Sequence, residues 1–584
     1  MNHPPQPFST EQESYLKGFF QGIAQRPVIH ALATNTALDD APPETGAESL
    51  YGTPIDELCR EERIKLETNG LDVWDQMVKN GDLNQFPKDG DVFRYKFYGM
   101  FYVAPAQDSL MLRCRIPGGQ LFNHQLRGLA DIAEKHGNGF LDITTRANFQ
   151  IREIAPASAI PTLTQLTDIG LTSKGSGADN VRNVTASPTA GFDVQEILDV
   201  MPFAREMHHR ILNNRDLYGL PRKFNIAYDG GGQISACADT NDIGFYAVRV
   251  GEGHSVDPGV YFRVQLCGIT GHRQFAKDCG ILIRPEQHAD LACAMLRTFL
   301  QHGNRTNRNR ARLKYLIDDW GVERFLEETE HHLDFSLMRF PQANCEARGA
   351  TLQQGHLGIH AQKHPDYSYV GVRVPVGRLS HEQLRTIANL SQHYARGEIR
   401  LTVWQNFLIP HVHKSQIAEL KLALSNAGFA FEANPFAAGL VACTGNTGCK
   451  YAAANTKSHA VKLADELAKR VQLDHAINIH LTGCTHSCAQ HYIGDIGMIA
   501  TPCTLDGESV EGYSIAFGGG VEERQGIAIE MFKSIPFQHI PDLLEACLTT
   551  FLDHREAGET FNAFIRRHSH EALNQLFLPH ASTS

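Results

Sequence analysis

The chain has 584 residues, and a prior of roughly 150 residues per domain divides it into about three to five domains. Its hydrophobic fraction of 42% and charged fraction of 20% are typical of folded globular proteins and exclude a disordered or fibrous chain. A formal net charge of -11 argues against a protein devoted to nucleic acid or to an anionic membrane. Any site for anions therefore has to be a local basic pocket.

Targeting signals do not stand out in the sequence. The N-terminus lacks the basic start and apolar stretch of a secretion signal, and the longest apolar run, 435–443, is far short of the roughly 20 residues that span a bilayer. Thirteen cysteines in such a chain fit reduced thiols or metal ligands better than a disulfide framework. We therefore expect a cytoplasmic protein without a membrane segment.

The first 90 residues differ in character from the rest. Thr10 and Glu13 form a capping-box pattern that opens an amphipathic helix, and the Pro/Gly-rich stretch 41–54 is typical of a linker. We predict an N-terminal helical extension with a linker over residues 1–90.

From residue 109 onward the chain repeats itself at an offset of 258 residues. Arg115 to Ile151 aligns without a gap with Arg373 to Ile409, and thirteen of these 37 positions are identical. Chance, at about 6% per position, gives only about two or three. Each copy has the pattern of a strand, a helix and a strand. The predicted segments are Ser109–Ile116, His124–Lys135 and Leu141–Ile151 in the first copy, and Tyr369–Val374, Glu382–Tyr394 and Ile399–Ile409 in the second.

A longer stretch of mixed helix and strand follows each copy, and the two stretches share weaker similarities. Asp242-Ile243-Gly244 matches Asp495-Ile496-Gly497. We predict a pseudo-twofold succession of small, large, small and large units. The alternative is that the large units share only turn chemistry.

Two close cysteine pairs, Cys443 with Cys449 and Cys484 with Cys488, stand out among the thirteen. Paired zinc ligands in structural sites are usually separated by about two to four residues, so the longer gap in the first pair fits zinc poorly. Four thiolates suit a 4Fe-4S cluster, whose negative charge is eased by loop amides and by the start of a helix, predicted here over 451–470. On spacing alone, zinc and a chance grouping of cysteines remain the alternatives.

These cysteine pairs, the repeat and the string Arg113-Cys-Arg-Ile-Pro-Gly-Gly119 resemble the siroheme-containing nitrite and sulfite reductases, over residues 90–580. The resemblance implies an α+β fold and a 4Fe-4S cluster on the four cysteines, with Cys488 also bridging to the siroheme iron. It further implies two ferredoxin-like half-domains and two larger mixed α/β siroheme/Fe-S domains. The expected bounds are 91–155 and 365–432 for the half-domains, and 170–330 and 433–580 for the larger domains.

The same resemblance implies an anion-binding shell over the open face of the siroheme. An oxyanion that loses oxygen as water needs charge stabilisation and proton donors; Arg offers forked donors and Lys a movable proton. The eight carboxylates of siroheme also need cationic or amide partners. The shell residues are Arg113, Arg182, Lys223 and Asn225, and the expected carboxylate partners are Arg146, Gln150, Arg222 and Arg312.

Position 225 separates the two substrates within the family, because the sulfite reductases carry a lysine there and the assimilatory nitrite reductases an asparagine. This chain has Asn225. The expected activity is the assimilatory six-electron reduction of nitrite to ammonia. The alternatives are a sulfite reductase haem subunit, a precorrin-3B synthase-like enzyme, and a noncatalytic metal-binding interaction protein.

Electrons are expected from a separate protein. The glycine triplets 230–232 and 518–520 lack the spacing of a dinucleotide fingerprint, and there is no further cysteine cluster. The resemblance points to ferredoxin as the electron donor, with flavodoxin as the alternative. We expect the protein to be a monomer. Ferredoxins are usually acidic, and the basic run at 305–314 is one candidate docking face.

Overall fold

The computed structural model describes residues 48–579, so the helix expected to begin at Thr10 and the first half of the linker at 41–54 lie outside the described residues. The elements below belong to a unit that begins at Tyr51. A short strand at Thr53–Pro54 is followed by the helices α1 (Arg60–Glu67), α2 (Trp74–Asp82) and α3 (Asp91–Arg94). None of the helices in this part of the chain combines the length and apolar character needed to cross a bilayer.

The two copies of the repeat form two five-stranded sheets. In the first copy the sheet order is β14-β4-β5-β2-β1, and in the second it is β12-β13-β16-β15-β3. The first copy contains β1 (Met100–Tyr102), β2 (Leu110–Arg113), β3 (Gln120–Phe122), α4 (Asn123–His136), β4 (Phe140–Ile143), β5 (Phe149–Ile154) and α5 (Ala159–Asp168). The second contains β12 (Gly358–Ala361), β13 (Tyr367–Val372), β14 (Arg378–Ser380), α10 (His381–Tyr394), β15 (Glu398–Leu401), β16 (Phe407–His413) and α11 (Ile417–Asn426).

Each of these sheets is completed by a strand from the other copy. Strand β14 pairs antiparallel with β4, with Leu379 opposite Leu141, and β3 pairs antiparallel with β15, with Leu121 opposite Ile399. The exchanged strands lie 258 residues apart, so the exchange obeys the repeat. Both copies contribute to one hydrophobic core.

The sequence analysis missed the two exchanged strands, and it read each hairpin as a single strand. The segment expected as Leu141–Ile151 is β4 and β5 joined by a turn, and Ile399–Ile409 is likewise β15 and β16. In each turn one non-glycine residue, Ala147 or Gln405, adopts a positive φ. A left-handed residue interrupts the extended backbone, which an apolar alternation pattern does not reveal.

The two larger units are built on sheets with the same order of pairings. Two parallel pairs are followed by antiparallel ones, in the orders β6-β7-β8-β9-β10-β11 and β17-β18-β19-β20-β21. The first unit contains β6 (Thr185–Ala186), α6 (Met201–Asn213), β7 (Ile226–Asp229), β8 (Ile243–Val250), β9 (Gly259–Leu266), β10 (Lys277–Ile283), α7 (His288–His302), α8 (Leu313–Trp320), α9 (Val322–Glu330) and β11 (Met338–Arg339). The second contains α12 (Pro435–Ala438), β17 (Gly439–Ala442), α13 (Thr456–Arg470), β18 (Asn478–Thr482), β19 (Ile496–Leu505), β20 (Glu508–Phe517), β21 (Ile529–Pro536), α14 (Ile540–His554), α15 (Phe561–Arg567) and α16 (His570–Phe577).

The Asp-Ile-Gly similarity marks an equivalent position in these two sheets. Asp242 accepts the backbone N–H of Asn225 at 2.8 Å, and Asp495 accepts that of Asn478 at the same distance. Each aspartate directly precedes a central strand, β8 or β19. The pseudo-twofold prediction is therefore confirmed, and the large units share more than turn chemistry.

Candidate functional site

The two cysteine pairs lie on loops that follow neighbouring parallel strands. Cys443 comes directly after β17, and Cys484 comes shortly after β18, with which β17 is paired. Because the carboxyl ends of parallel strands meet at one edge of a sheet, both pairs lie at the same edge. Burial, together with the charges of the other three cysteine thiols, raises the pKa of the Cys484 thiol to about 11. The structure thus brings the four thiols together.

The thiols are surrounded by loop amides and hydroxyls. Cys443 Sγ accepts the backbone N–H of Gly483 at 3.1 Å and lies 3.5 Å from the hydroxyl of Thr456. Thr456 is the first residue of α13, so this helix begins later than the predicted 451; Asn455 caps it by accepting the N–H of Ser458. The N-terminal end of the helix still lies beside a cluster thiol, as expected.

Within residues 48–579, no three His, Cys, Asp or Glu side chains are arranged to hold one metal ion. The ligands of a tetrahedral zinc all lie about 2.3 Å from one centre when they are thiolates. The four cysteine ligands of a cubane stand farther apart, since each binds a different iron. Four thiols on two neighbouring loops provide one ligand for each iron of a cubane, so the donor set fits a 4Fe-4S cluster.

Cations predicted to bind anions converge on Cys488. Burial raises the pKa of the Cys488 thiol, while Lys223 and Arg113 act in the opposite direction. Burial and the positive charges of Arg113 and Arg146 lower the pKa of Arg182. Burial and the charges of Arg312, Arg182 and Arg222 likewise lower the pKa of Lys223. The structure accordingly assembles the predicted cations from five separate segments of the chain.

Two of these cations have no polar partner for their charged groups within the described part of the chain. The guanidinium of Arg113 faces the Phe101 ring at 4.6 Å, and no hydrogen bond or ion pair is made by it or by the Lys223 ammonium. Burial lowers the pKa of Arg113 to about 10, and burial with the nearby Arg312 charge lowers that of Lys223 to about 7. Half-buried cations without counterions form a site prepared for anions.

The remaining cofactor candidates are held more firmly. Arg146 donates to the Asn183 carbonyl and to Asn241, and Arg312 donates to both carboxylate oxygens of Asp242. The Nε of Arg312 is buried without a partner. Arg222 lies 3.9 Å from Asp179, and Gln150 accepts from Arg152 at 3.0 Å. Few buried carboxylates offset this group of cations, so a polyanionic cofactor fits the donor set.

Asn225 lies two residues from Lys223, at the start of the segment that leads into β7. The carboxylate of Asp242 fixes its backbone N–H, and its side-chain amide makes no hydrogen bond within residues 48–579. The amide is therefore free to contact a ligand.

The structure corrects the predicted docking face at 305–314. Arg305 is buried against Glu62 of α1, and Arg308 forms a double hydrogen bond with Asp179. Each remaining cation of the run also has a carboxylate partner. These pairs are Arg310 with Asp319, Arg312 with Asp242, and Lys314 with Asp318. Arg305 and Arg308 are therefore structural, and helix α1 helps to hold them, whereas the Arg310–Asp319 pair is exposed.

Two residues that contact the cysteine loops were missed by the sequence analysis. Thr145 donates from Oγ1 to the carbonyl of Cys488 at 3.0 Å, and Arg152 donates from Nη1 to that of Gly448 at 2.8 Å. Both belong to the β4–β5 hairpin of the first half-domain. The repeat could have pointed to both residues, because the equivalent positions in the second copy are the apolar Val403 and Pro410. Thr145 and Arg152 are thus polar in the first copy alone.

Comparisons with known proteins agree with this architecture. The model of the nitrite and sulphite reductase 4Fe-4S domain matches residues 177–337 and 437–581, and that of the nitrite/sulfite reductase ferredoxin-like half domain matches residues 103–168 and 360–427. The chain is 34% identical over 514 residues to the ferredoxin–nitrite reductase of Synechococcus elongatus, covering 84% of this chain and 96% of the relative.

Two further relatives come from distant organisms. The assimilatory ferredoxin-dependent nitrite reductase of Haloferax mediterranei is 30% identical over 511 residues, covering 83% of this chain and 87% of the relative. The solved structure of the Mycobacterium tuberculosis NirA protein superposes with a TM-score of 0.82 at 26% identity, covering 88% of this chain and 97% of that one. The repeat, the paired cysteine loops and these matches together show that the chain belongs to the nitrite and sulfite reductase family.

Proposed function

We propose that this protein is an assimilatory nitrite reductase, which reduces nitrite to ammonia with electrons from ferredoxin. The observation that carries the proposal is the pair of half-buried cations beside the Cys488 thiol, Arg113 and Lys223, which have no polar partner for their charged groups among residues 48–579. Relatives named ferredoxin–nitrite reductase cover most of the chain and support the substrate and the donor. A cytoplasmic location and a monomeric state are parts of the same proposal.

The residues fit two cofactors. Cys443, Cys449, Cys484 and Cys488 would hold the 4Fe-4S cluster, and Arg146, Gln150, Arg222 and Arg312 would bind siroheme carboxylates. When bound, these groups would supply an iron that takes the substrate and electrons that arrive one at a time. The domain bounds expected from the sequence are part of the same proposal, with the cluster in 433–580 and the cation shell mainly in the first half of the chain.

The protein residues bind the anion and manage its protons. Arg113 and Arg182 would stabilise the negative charge of nitrite, because guanidinium groups offer paired donors to oxyanions. Conversion of nitrite to ammonium and two waters consumes six electrons and eight protons. Lys223, whose ammonium pKa is lowered to about 7, would donate a proton from Nζ to a substrate oxygen that leaves as water.

Asn225 favours nitrite over sulfite in this proposal. Nitrite is a monoanion near neutral pH, whereas sulfite is largely dianionic, so a neutral amide beside Lys223 suits the smaller charge. The experiment is a steady-state comparison of both substrates with a reduced one-electron donor, after iron, acid-labile sulfide and the visible spectrum have shown both cofactors. A larger kcat/KM for sulfite would identify a sulfite reductase instead.

Ferredoxin would dock where the cluster loops reach the surface. Lys450 and Tyr451 follow Cys449 directly and are both exposed, and the Tyr451 ring lies 5.0 Å from that of His486, between the second cysteine pair. Lys450→Glu should lower kcat/KM for ferredoxin and leave turnover with a small dye unchanged. The matched control is Lys533→Glu, since Lys533 is an exposed lysine on β21. Equal effects of the two variants would contradict docking here.

A further inference from the structure

The β4–β5 hairpin of the first half-domain contacts both cysteine loops, which lie about three hundred residues later in the chain. The hydroxyl of Thr145, in the turn, donates to the carbonyl of Cys488. The guanidinium of Arg152, on β5, donates to the carbonyl of Gly448 at 2.8 Å and to the hydroxyl of Thr444 at 2.8 Å. One hairpin thereby fixes the loop between Cys443 and Cys449 and the loop that carries Cys488.

Arg152 is a buried cation, with 7% of its surface exposed. Two of its donors serve the cysteine loop, and Nη2 also donates to Gln150, a predicted siroheme partner. A β-carbon on residue 448 would lie 3.1 Å from Arg152 Nη1, so glycine at this position permits the close approach. The contact depends on a particular residue on each side.

The charge of Arg152 is not cancelled by its surroundings. Among residues 48–579 its one carboxylate partner is Asp142, which lies 3.6 Å from Nε and is shared with Arg378 at 2.9 Å and Lys457 at 3.5 Å. These three cations hold the pKa of Asp142 at about 2 despite its burial. The thiols of Cys443 and Cys449 both favour the charged form of Arg152 and oppose the lowering of its pKa by burial. The positive charge of Arg152 that Asp142 leaves uncompensated therefore faces two of the cluster ligands.

The repeat shows that the fold itself does not require these polar residues. At the offset of 258 residues, Thr145, Gln150 and Arg152 correspond to Val403, Leu408 and Pro410. Strand β16 pairs with its neighbours in the second sheet although it carries these apolar counterparts. Since the hairpin folds in both copies, the polar residues of the first copy serve its contact with the cysteine loops.

We propose that Arg152 is a positioning residue for the 4Fe-4S cluster, holding the Cys443–Cys449 loop by two hydrogen bonds and raising the reduction potential of the cluster by its positive charge. A cation and hydrogen-bond donors close to a cluster favour the reduced, more negative state. The inference rests on the proposed assignment of the cluster to the four cysteines and goes beyond it by naming what tunes that cluster.

The test measures the cluster rather than turnover. In Arg152→Gln holoenzyme we expect a more negative midpoint in an EPR-monitored redox titration and about ten-fold faster loss of iron to a chelator, as charged hydrogen bonds of about 1.5 kcal/mol or more would give. Arg152→Lys keeps the charge and should restore most of the potential. The matched control is Arg378→Gln, which removes a cation from the same carboxylate without touching the loop; it should leave the chelation rate unchanged and shift the midpoint less than Arg152→Gln does.

Two results would overturn the inference: an unchanged midpoint and chelation rate in Arg152→Gln, or equal changes in Arg378→Gln. If Arg152→Gln does not fold, Thr444→Val removes one acceptor of Arg152 and should accelerate iron loss by a smaller factor; an unchanged rate there would also contradict the proposal. A wild-type protein that assembles no cluster would defeat the proposed function instead, so the two failures are distinguishable.

Discussion

The Nη2 atom of Arg312 lies 2.9 and 2.7 Å from the two carboxylate oxygens of Asp242. One of these oxygens also accepts the backbone N–H of Asn225. A single buried carboxylate therefore fixes a predicted siroheme partner and the backbone of Asn225, the proposed substrate contact. The second large sheet repeats the motif, with Asp495 bound to the backbone of Asn478 and 3.5 Å from Arg524.

Asp242→Asn should release Arg312 and reduce siroheme occupancy. Removing one partner of a buried ion pair costs about 3–5 kcal/mol, because the other charge is left uncompensated. The siroheme absorbance per protein and the free energy of unfolding in urea measure the two effects. The matched control is Asp495→Asn, which breaks the equivalent contact in the second sheet and should lower stability while keeping the siroheme. Loss of siroheme in both variants would contradict a local role for Asp242.

Asn225→Lys should shift the preference from nitrite toward sulfite. An additional buried cation interacts more favourably with a dianion, and a charged hydrogen bond contributes about 1.5–3 kcal/mol, so the ratio of the two kcat/KM values should change roughly 10- to 100-fold. Asn225→Ala separates charge from loss of the amide. A ratio unchanged by lysine would remove position 225 from the determinants of specificity.

Cys488→Ser should abolish the cluster signal in EPR and lower acid-labile sulfide, since one of four thiolate ligands is lost. Cys345 offers the control, because it is half-buried and remote in sequence from the cysteine pairs. Cys345→Ser should keep both iron and sulfide. Normal iron and sulfide in Cys488→Ser would show that Cys488 is not a ligand.

Gly119→Ala and Gly377→Ala should each weaken the exchange of strands between the half-domains. Both glycines have positive φ, and an added β-carbon would lie 2.4 Å from the carbonyl oxygen of Leu401 or 2.6 Å from that of Ile143. Backbone strain and overpacking together cost about 2–4 kcal/mol, measured by urea unfolding. Gly428→Ala, which has a positive φ but no close neighbour, should cost only about 1 kcal/mol. Equal losses of stability in all three variants would show that backbone strain, and not the close contacts of the added β-carbon, is the cause.

Glu522 should make stability depend on pH. Its burial, together with the Asp239 and Asp229 carboxylates, raises its pKa from 4.5 to about 8, although Arg348 lies 3.4 Å away. Between these values the folded state keeps a proton that the unfolded state has lost, so stability falls as pH rises from about 5 to 8.

Glu522→Gln removes this titration. The melting temperature of the wild type relative to that variant should therefore fall across the same interval. Glu523→Gln is the adjacent control, because the pKa of Glu523 is lowered rather than raised. A constant difference between wild type and Glu522→Gln would show that Glu522 is ionised throughout.

Much of the architecture could be predicted because short, local sequence patterns specify it. The 258-residue repeat gave the two half-domains, and the Asp242 and Asp495 strings gave the equivalence of the large sheets. The cysteine pairs gave the cluster loops, since their spacing reflects neighbouring loops at one sheet edge. These features depend on the types and spacings of nearby residues.

Contacts between distant segments could not be predicted in the same way. The strands 120–122 and 378–380 are too short to show a pattern, and their partners belong to the other copy. The charges of Arg305 and Arg308 suggested a surface, but Glu62 and Asp179 neutralise them from other elements. Whether a cation is free or paired is decided by tertiary packing, which composition does not reveal.

The exchanged strands have a consequence for cutting the polypeptide. A break within the largely exposed segment 341–350 would yield two pieces, each carrying the strand that completes the sheet of the other. Neither piece could complete the sheet of its own half-domain, yet each piece carries the strand that the other lacks. Fragment complementation is thus built into the repeat, and co-expressed pieces should reassemble only as a matched heterodimer.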